Sequence, residues 1–396
     1  MNWIIAFALV VFGISSWLSI SGIYAELPLI VDKVPEKWTV SSYLAIIIQI
    51  GNIVPVLYII GHKYLPAVIN ERNGIYTILS IGIIGSFLLA FLWNRTEDIG
   101  GTEHSIWLFF STFILSIVDC TSTVTYFPFM SVLSEKYMVP FFIGEGMSGL
   151  IPNAVALIQG VGSKQSVTKN GTHTCVQIVP LFTTEIFFTL LAFLMMISLI
   201  AFIFIDLQEH SEHARTIDEM NDNLIQDSRA PYVILTATTW LAFMQNGMLK
   251  SIQTYTLMPY GNITMILATN LSAMSSPMIC LIQLFKQSCN EAHAYILLFL
   301  ASISALFLMM IGLLSPQPPL HGTKYGSTMI IIAWMLFTAT TTLSKLILAN
   351  ACRKIGGMKA LRWYGEGTQI GSFFGALLGF ILVNQFKIFK SANTTC

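Results

Sequence analysis

Eleven stretches of this chain are long and apolar enough to cross a bilayer, and nothing else constrains its fold as tightly. A spanning helix needs about 20 mostly apolar residues, because ~30 Å of hydrocarbon is crossed at ~1.5 Å per residue. Residues 3–25, 42–61, 74–93, 105–133, 139–162, 179–206, 231–251, 261–285, 293–314, 326–349 and 364–388 meet that length. The longest hydrophilic interval, 207–230, is far too short for a folded domain. Composition agrees: 55% of residues are apolar and 10% charged, against about 45–50% and about 25% in ordinary globular chains. The chain reads as an all-α polytopic membrane protein. Its 20 basic and 20 acidic residues cancel, leaving no field to draw nucleic acid. A soluble enzyme, a disordered scaffold and a nucleic-acid binder are excluded.

The opening stretch lacks a basic region and an A-x-A cleavage site, so it reads as a retained first helix rather than a signal peptide. Arg353, Lys354, Lys359 and Arg362 cluster between the tenth and eleventh segments without an acid among them. Short basic loops stay cytoplasmic, which puts the amino terminus inside and, with eleven spans, the carboxyl terminus outside. Glycosylation sequons at Asn94, Asn170 and Asn393 all fall outside in this topology. Two further matches, at Asn262 and Asn270, lie at or within the eighth segment. Cys175 and Cys396 also fall outside, where an oxidising compartment permits either a disulfide or two free thiols.

Four landmarks recur in order at separations of 218 to 223 residues. They are Trp17 and Trp240, Asn52 and Asn270, Thr121-Ser122-Thr123 and Thr340-Thr341-Thr342, and Gly144-Glu145-Gly146 and Gly365-Glu366-Gly367. Both copies begin on the same side of the membrane, so the pattern reads as a parallel duplication of the major-facilitator kind, with substrate held between the halves. Residues 1–206 then form a six-helix bundle, 207–230 a cytoplasmic linker and 231–396 a five-helix bundle. Shared Gly and Thr at helix-packing faces produce weaker likenesses of the same sort.

Among the charges in or at the ends of the spans are Glu26, Asp119, Glu145, Glu185, Lys250, Lys345 and Glu366. Charges in hydrocarbon are costly and normally face a cavity or a partner. Depth separates them: Lys250 and Lys345 sit near helix ends, from which they can snorkel, while Asp119 alone lies at the midplane. The hydroxyls of Thr121, Ser122, Thr123 and Thr125 and the Tyr126 ring follow it. Two readings fit this run. It is a hydrogen-bonding wall for a polyol with Asp119 as acceptor or proton carrier, or it glues helices together while Asp119 pairs with a neighbour. The Gly-Glu-Gly steps and Pro28, Pro55, Pro128, Pro152 and Pro277 mark places where helices are expected to kink or unwind.

Amides and aromatics cluster in the first, second and seventh segments. Gln49 and Asn52, with Asn246 and Gln253, suit the edges of a flat heteroaromatic ring. Trp17 and Tyr255 suit its faces, and mid-span Trp17 needs a partner for its N–H. No H-E-x-x-H, G-x-S-x-G, Cys pair or dinucleotide fingerprint is present. We expect no enzyme, no cofactor and no metal site.

Several of these stretches resemble the eukaryotic riboflavin transporter family, solute carrier family 52. They are Gly13-x-x-Ser16-Trp17 with Gly22-x-x-x-Glu26-Leu27-Pro28, Pro35-Glu36-x-Trp38, Gln49-x-x-Asn52-x-x-Pro55, Asp119-Cys120-Thr121-Ser122, Gly144-Glu145-Gly146 and Asn246-Gly247-Met248-Leu249 with Gln253-Thr254-Tyr255. The resemblance implies eleven spans, plasma-membrane location and uptake of vitamin B2 without ATP. The short central loop, Lys250 and the second Gly-Glu-Gly depart from vertebrate members. Riboflavin is uncharged at neutral pH, with a tricyclic ring and a polyhydroxylated chain, and the residues above match those parts. With no midplane cation, flavin mononucleotide is expected to be rejected. An equilibrative nucleoside-type carrier and a non-transporting membrane receptor are the competing readings.

Overall fold

Inside hydrocarbon every backbone N–H and C=O must be satisfied by the chain itself, and the apolar runs accordingly fold as helices. The computed structural model describes residues 2–37, 40–65, 69–161, 164–169, 172–177, 179–213, 230–285 and 291–390. The sequons at Asn170 and Asn393, Cys396, the Cys175 side chain and linker residues 214–229 lie outside the described part.

Among the described residues thirteen α-helices follow in chain order: α1 (Trp3–Ile14), α2 (Leu18–Lys33), α3 (Val40–Gly51), α4 (Ile53–Tyr64), α5 (Glu71–Leu92), α6 (Ile106–Met130), α7 (Met138–Gln159), α8 (Thr184–His213), α9 (Ala230–Ala242), α10 (Leu249–Leu257), α11 (Asn262–Phe285), α12 (Glu291–Leu313) and α13 (Lys324–Phe380). Asn2, Asn70 and Thr323 cap α1, α5 and α13 through their side-chain oxygens, satisfying donors that helix starts leave orphaned. Gly160 ends α7 with φ +90°, the left-handed backbone that glycine adopts without strain.

Among the described residues, eight helices are long and apolar enough to span, and a ninth span joins α1 and α2 across a 51° bend. Two of the expected segments are hidden in that reckoning. The seventh is α9 and α10 joined by a π-helical stretch, Phe243–Met248. The tenth and eleventh are merged in α13, which is interrupted at Gly356 and Gly357. Gly357 has φ +51°. The Tyr364 hydroxyl donates to the Lys345 carbonyl at 3.3 Å, although 19 positions of straight helix span ~28 Å. The run therefore doubles back, and each of the eleven expected segments has a helical counterpart.

Helices α1–α8 pack mainly on one another, as do α9–α13; the two groups meet where α6 and α7 lie against α13 and α11. Two antiparallel hairpins, Glu97–Ile99 with Thr102–His104 and Lys164–Lys169 with Thr172–Gln177, mark one face. The 350–363 connection marks the other.

Two expectations fail here. Neither Gly-Glu-Gly step unwinds: both sit inside continuous helix. Their first glycines serve close approach instead, since a Cβ on Gly144 would overlap the Val10 carbonyl and one on Gly365 the Thr123 carbonyl. Lys345 does not snorkel, because its helix continues past it; its side chain is buried and reaches Glu145 at 3.5 Å. Pro28, Pro128, Pro152 and Pro277 lie inside helices that continue through them without unwinding, whereas Pro55 follows the break between α3 and α4.

Candidate substrate-binding site

The first span breaks at Ser15-Ser16-Trp17, and α6 holds the break. Asp119 Oδ2 accepts from the Ile20 N–H at 3.1 Å, the Ser122 hydroxyl is shared between the Asp119 carbonyl of its own helix at 2.8 Å and the Ser16 carbonyl at 3.2 Å, and the Tyr126 and Ser15 hydroxyls share a hydrogen bond of 3.0 Å. Positions 119, 122 and 126 lie on one helical face. Trp17 stands at the break, half-buried, with backbone outside the helical range (φ −136°, ψ 16°), and its indole N–H bonds to no described residue. It borders a narrow crevice with Ser16, Ser122, Thr123, Tyr126, Phe127, Phe141 and Glu145. The crevice has no room even for a water molecule, whereas ligand pockets usually enclose ~300–1,000 Å³, so it must open to admit a vitamin-sized molecule.

Across the crevice lies the second half. Gln369 Nε2 donates to the Cys120 carbonyl and to Thr123 Oγ1, both at 2.6 Å. One turn further along α13, Ser372 Oγ accepts from Asn246 Nδ2 at 3.1 Å. Gln369 and Ser372 thereby connect Thr123 of α6 with Asn246 in the π stretch. Neither connector was among the expected residues. The internal repeat offers a faint pointer, since Gln369 stands 221 positions after Ser148, the spacing of the Gly-Glu-Gly pair.

The remaining expected residues are dispersed around this centre. Asn52 Nδ2 donates to Gln49 Oε1 at 2.9 Å while Asn52 Oδ1 is buried without a partner. This pair sits beside α6, where Cys120 Sγ approaches the Ile48 carbonyl. Thr121 is buried with an unpartnered hydroxyl, and Asp119 is fully buried behind the crevice rather than on its wall. Gln253 and Tyr255 are not brought to Trp17: Tyr255 packs its ring on Phe389 at 5.7 Å, at the far end of α10. Trp240, the repeat mate of Trp17, is 47% exposed and donates to Ser302 Oγ at 3.0 Å.

Toward the 350–363 face the halves are tied by charge. Lys345 meets Glu145, Arg362 meets Glu71, and Lys354 meets Glu135 at 3.1 Å. Arg353 donates to the carbonyls of Met130 and Ser131, both at 3.0 Å. Bonds described at the hairpin face stay within one half. Ser105 donates its N–H and hydroxyl to Glu36 at 2.9 and 2.7 Å, and Thr184 donates to Glu26. Tyr260 donates to the Pro319 carbonyl and Ser315 to that of Lys390. Burial works against the charge on Glu36, but the donors from Ser105 and His104 outweigh it and hold the carboxyl below its usual range. Among the described residues no three His, Cys, Asp or Glu gather as a metal site.

Residues 1–231 and again 207–391 match the family model described as solute carrier family 52, riboflavin transporter. Riboflavin transporter member 3-A of Danio rerio is 36% identical, with 97% of both chains covered. Member 3 of Homo sapiens is 31% identical over 97% of this chain and 96% of that one. Among solved structures, the human organic anion transporter MFSD10 matches with a TM-score of 0.63 at 11% identity, covering 96% of this chain and 94% of its own. The major facilitator superfamily transporter FucP, in its outward conformation, matches with 0.59, also at 11% identity, covering 96% and 91%. At such identities the likeness speaks for the fold alone, which is that of major facilitator transporters. On sequence over nearly its whole length, the chain belongs to solute carrier family 52, the riboflavin transporter family.

Proposed function

We propose that this chain carries riboflavin into cells across the plasma membrane by alternating access, without ATP. The observation that carries the reading is the full-length match to riboflavin transporters. In this reading residues 1–206 and 231–396 are the two moving bundles and 207–230 the cytoplasmic linker. The 350–363 face is cytoplasmic, as is the amino terminus; the carboxyl terminus is extracellular. The ties among Lys345, Lys354, Arg353, Arg362 and their partners then close the inner side and must break for release. Asn94, exposed in the turn after α5, is the accessible sequon, and Asn170 and Asn393 are proposed as further acceptors.

Trp17 stacks on the flavin ring and offers it a free N–H. Thr123 and Asn246, freed from Gln369 and Ser372, meet the ribityl chain and the ring edge. Gln49 and Asn52 flank α6, and Thr121 and Asp119 support the wall behind it. Gln253 and Tyr255 serve the route inward from the hairpin side. No basic side chain lines the crevice and Lys345, next to it, is already paired with Glu145, so a phosphate on the substrate would compete with Glu145 for that cation.

The test is labelled riboflavin uptake into cells expressing the chain, at about pH 6 and about pH 7.5, with unlabelled riboflavin, flavin mononucleotide and uridine as competitors. The expected result is saturable uptake blocked by riboflavin alone. Block by uridine would assign a nucleoside carrier. Surface expression with no uptake above control cells would overturn the reading.

A further inference from the structure

We infer that Asp119, with Ser122 and Tyr126, is a positioning residue that holds Trp17 at the break of the first span and does not itself touch substrate. The inference rests on the reading that Trp17 stacks on the flavin. Helix α2 starts in mid-membrane, where the N–H groups of its first turn have no helical partner and no water. The Ile20 N–H finds Asp119 Oδ2. The Ser16 carbonyl, released by the same break, shares the Ser122 hydroxyl with the Asp119 carbonyl, and the Ser15 hydroxyl meets that of Tyr126. Three side chains from one face of α6 thus engage Ser15, Ser16 and Ile20, which bracket Trp17.

The placement of Asp119 excludes it from the wall. It is fully buried and does not border the crevice that Trp17, Ser16 and Thr123 share. Its Oδ1 contacts no partner, so one acceptor oxygen performs the whole role. Asn supplies one acceptor oxygen; Leu, of similar volume, supplies none.

The experiment measures riboflavin KM and maximal rate per surface molecule in Asp119→Asn, Asp119→Leu, Ser122→Ala, Trp17→Phe and the double variant Asp119→Leu with Trp17→Phe. Asp119→Asn is expected to keep KM within about threefold, and Asp119→Leu to raise it about tenfold or more, as losing a buried donor's partner implies. Ser122→Ala falls between them, with maximal rate retained. In the double variant the effects should not add, because Asp119 acts through Trp17. Additive effects, or an Asp119→Asn that reaches the surface yet is as impaired as Asp119→Leu, would overturn the inference and assign the carboxylate to substrate or proton. If Asp119→Leu fails to reach the surface, Ser122→Ala against Trp17→Phe supplies the same cycle. A Trp17→Phe and a Trp17→Ala both indistinguishable from the parent would instead remove the stacking role, leaving the break and its supports in place.

Discussion

The two halves of the molecule share an order of helices but differ in the charge they bring to their common surface. Every ion pair described across it has its cation on α13 (Lys345, Lys354, Arg362) and its acid on α5, α7 or the turn between α6 and α7 (Glu71, Glu145, Glu135). The leading spans differ too. The first half opens with a break clamped by α6, whereas the second keeps its irregularity helical, as a π stretch closely packed on Gly371 and Gly375. The two groups of helices therefore differ most at the surface where they meet. One half supplies the aromatic site and the acids, and the other supplies the cations and the amide that hold it shut. The net charge of zero conceals this segregation.

The comparison breaks most readily at its buried pair. Lys345→Met should cost most, since an orphaned buried charge is worth about 3–5 kcal/mol. Uptake per surface molecule should fall to background, and exchanging both charges, Glu145→Lys with Lys345→Glu, should restore part of it. Failure of the exchange to restore anything would mean that position, and not complementarity, matters. Next come the two repeat tryptophans. Loss of stacking on a flat ring is worth about 1–3 kcal/mol, so Trp17→Ala should raise KM about tenfold or more. Trp240→Ala, on the lipid-facing side, should leave KM within about twofold. Equal effects would place the site elsewhere.

Gln369→Leu removes two hydrogen bonds between the halves, each worth about 1 kcal/mol net, and frees Thr123. A riboflavin KM shifted by about three- to tenfold, with surface amount unchanged, is the expected result. The smallest effects belong to exposed or single-half contacts. Lys354→Ala should change uptake by less than about twofold, because exposed pairs contribute ~0–1 kcal/mol. The Glu36 anchor has a lowered folded pKa. Its stabilisation is present above the ordinary carboxylate range and fades only as pH falls through that lowered value. Protection factors for amide exchange around 97–105, corrected for the intrinsic pH dependence of exchange, should therefore be the same at about pH 7.5 and about pH 6; lower protection at the lower value would contradict the anchor.

The spans were legible in the sequence because hydrocarbon leaves few alternatives to an apolar helix. The break at Ser15–Trp17 was not. Its own residues tolerate a helix, and the cause sits about a hundred positions away, in the face formed by Asp119, Ser122 and Tyr126. Both readings of the Thr121–Thr125 run hold in part, for Ser122 and Thr123 border the crevice while Ser122 also faces the Ser16 carbonyl at the break. Gln369 escaped notice because its repeat mate, Ser148, carries no amide, and matching by residue type passes over such pairs. The Gly-Glu-Gly steps were read for conformational freedom, but their glycines provide closeness between helices. Lys345 looked like a helix-end lysine only because α13 continues beyond the last apolar residue.

The most direct test of carriage through this crevice is counterflow into vesicles containing the purified chain. With unlabelled riboflavin loaded inside, labelled riboflavin outside should accumulate transiently above its equilibrium level, and Trp17→Ala should abolish the overshoot at low substrate. Equal entry into loaded and empty vesicles would contradict alternating access and leave a protein that binds riboflavin without carrying it.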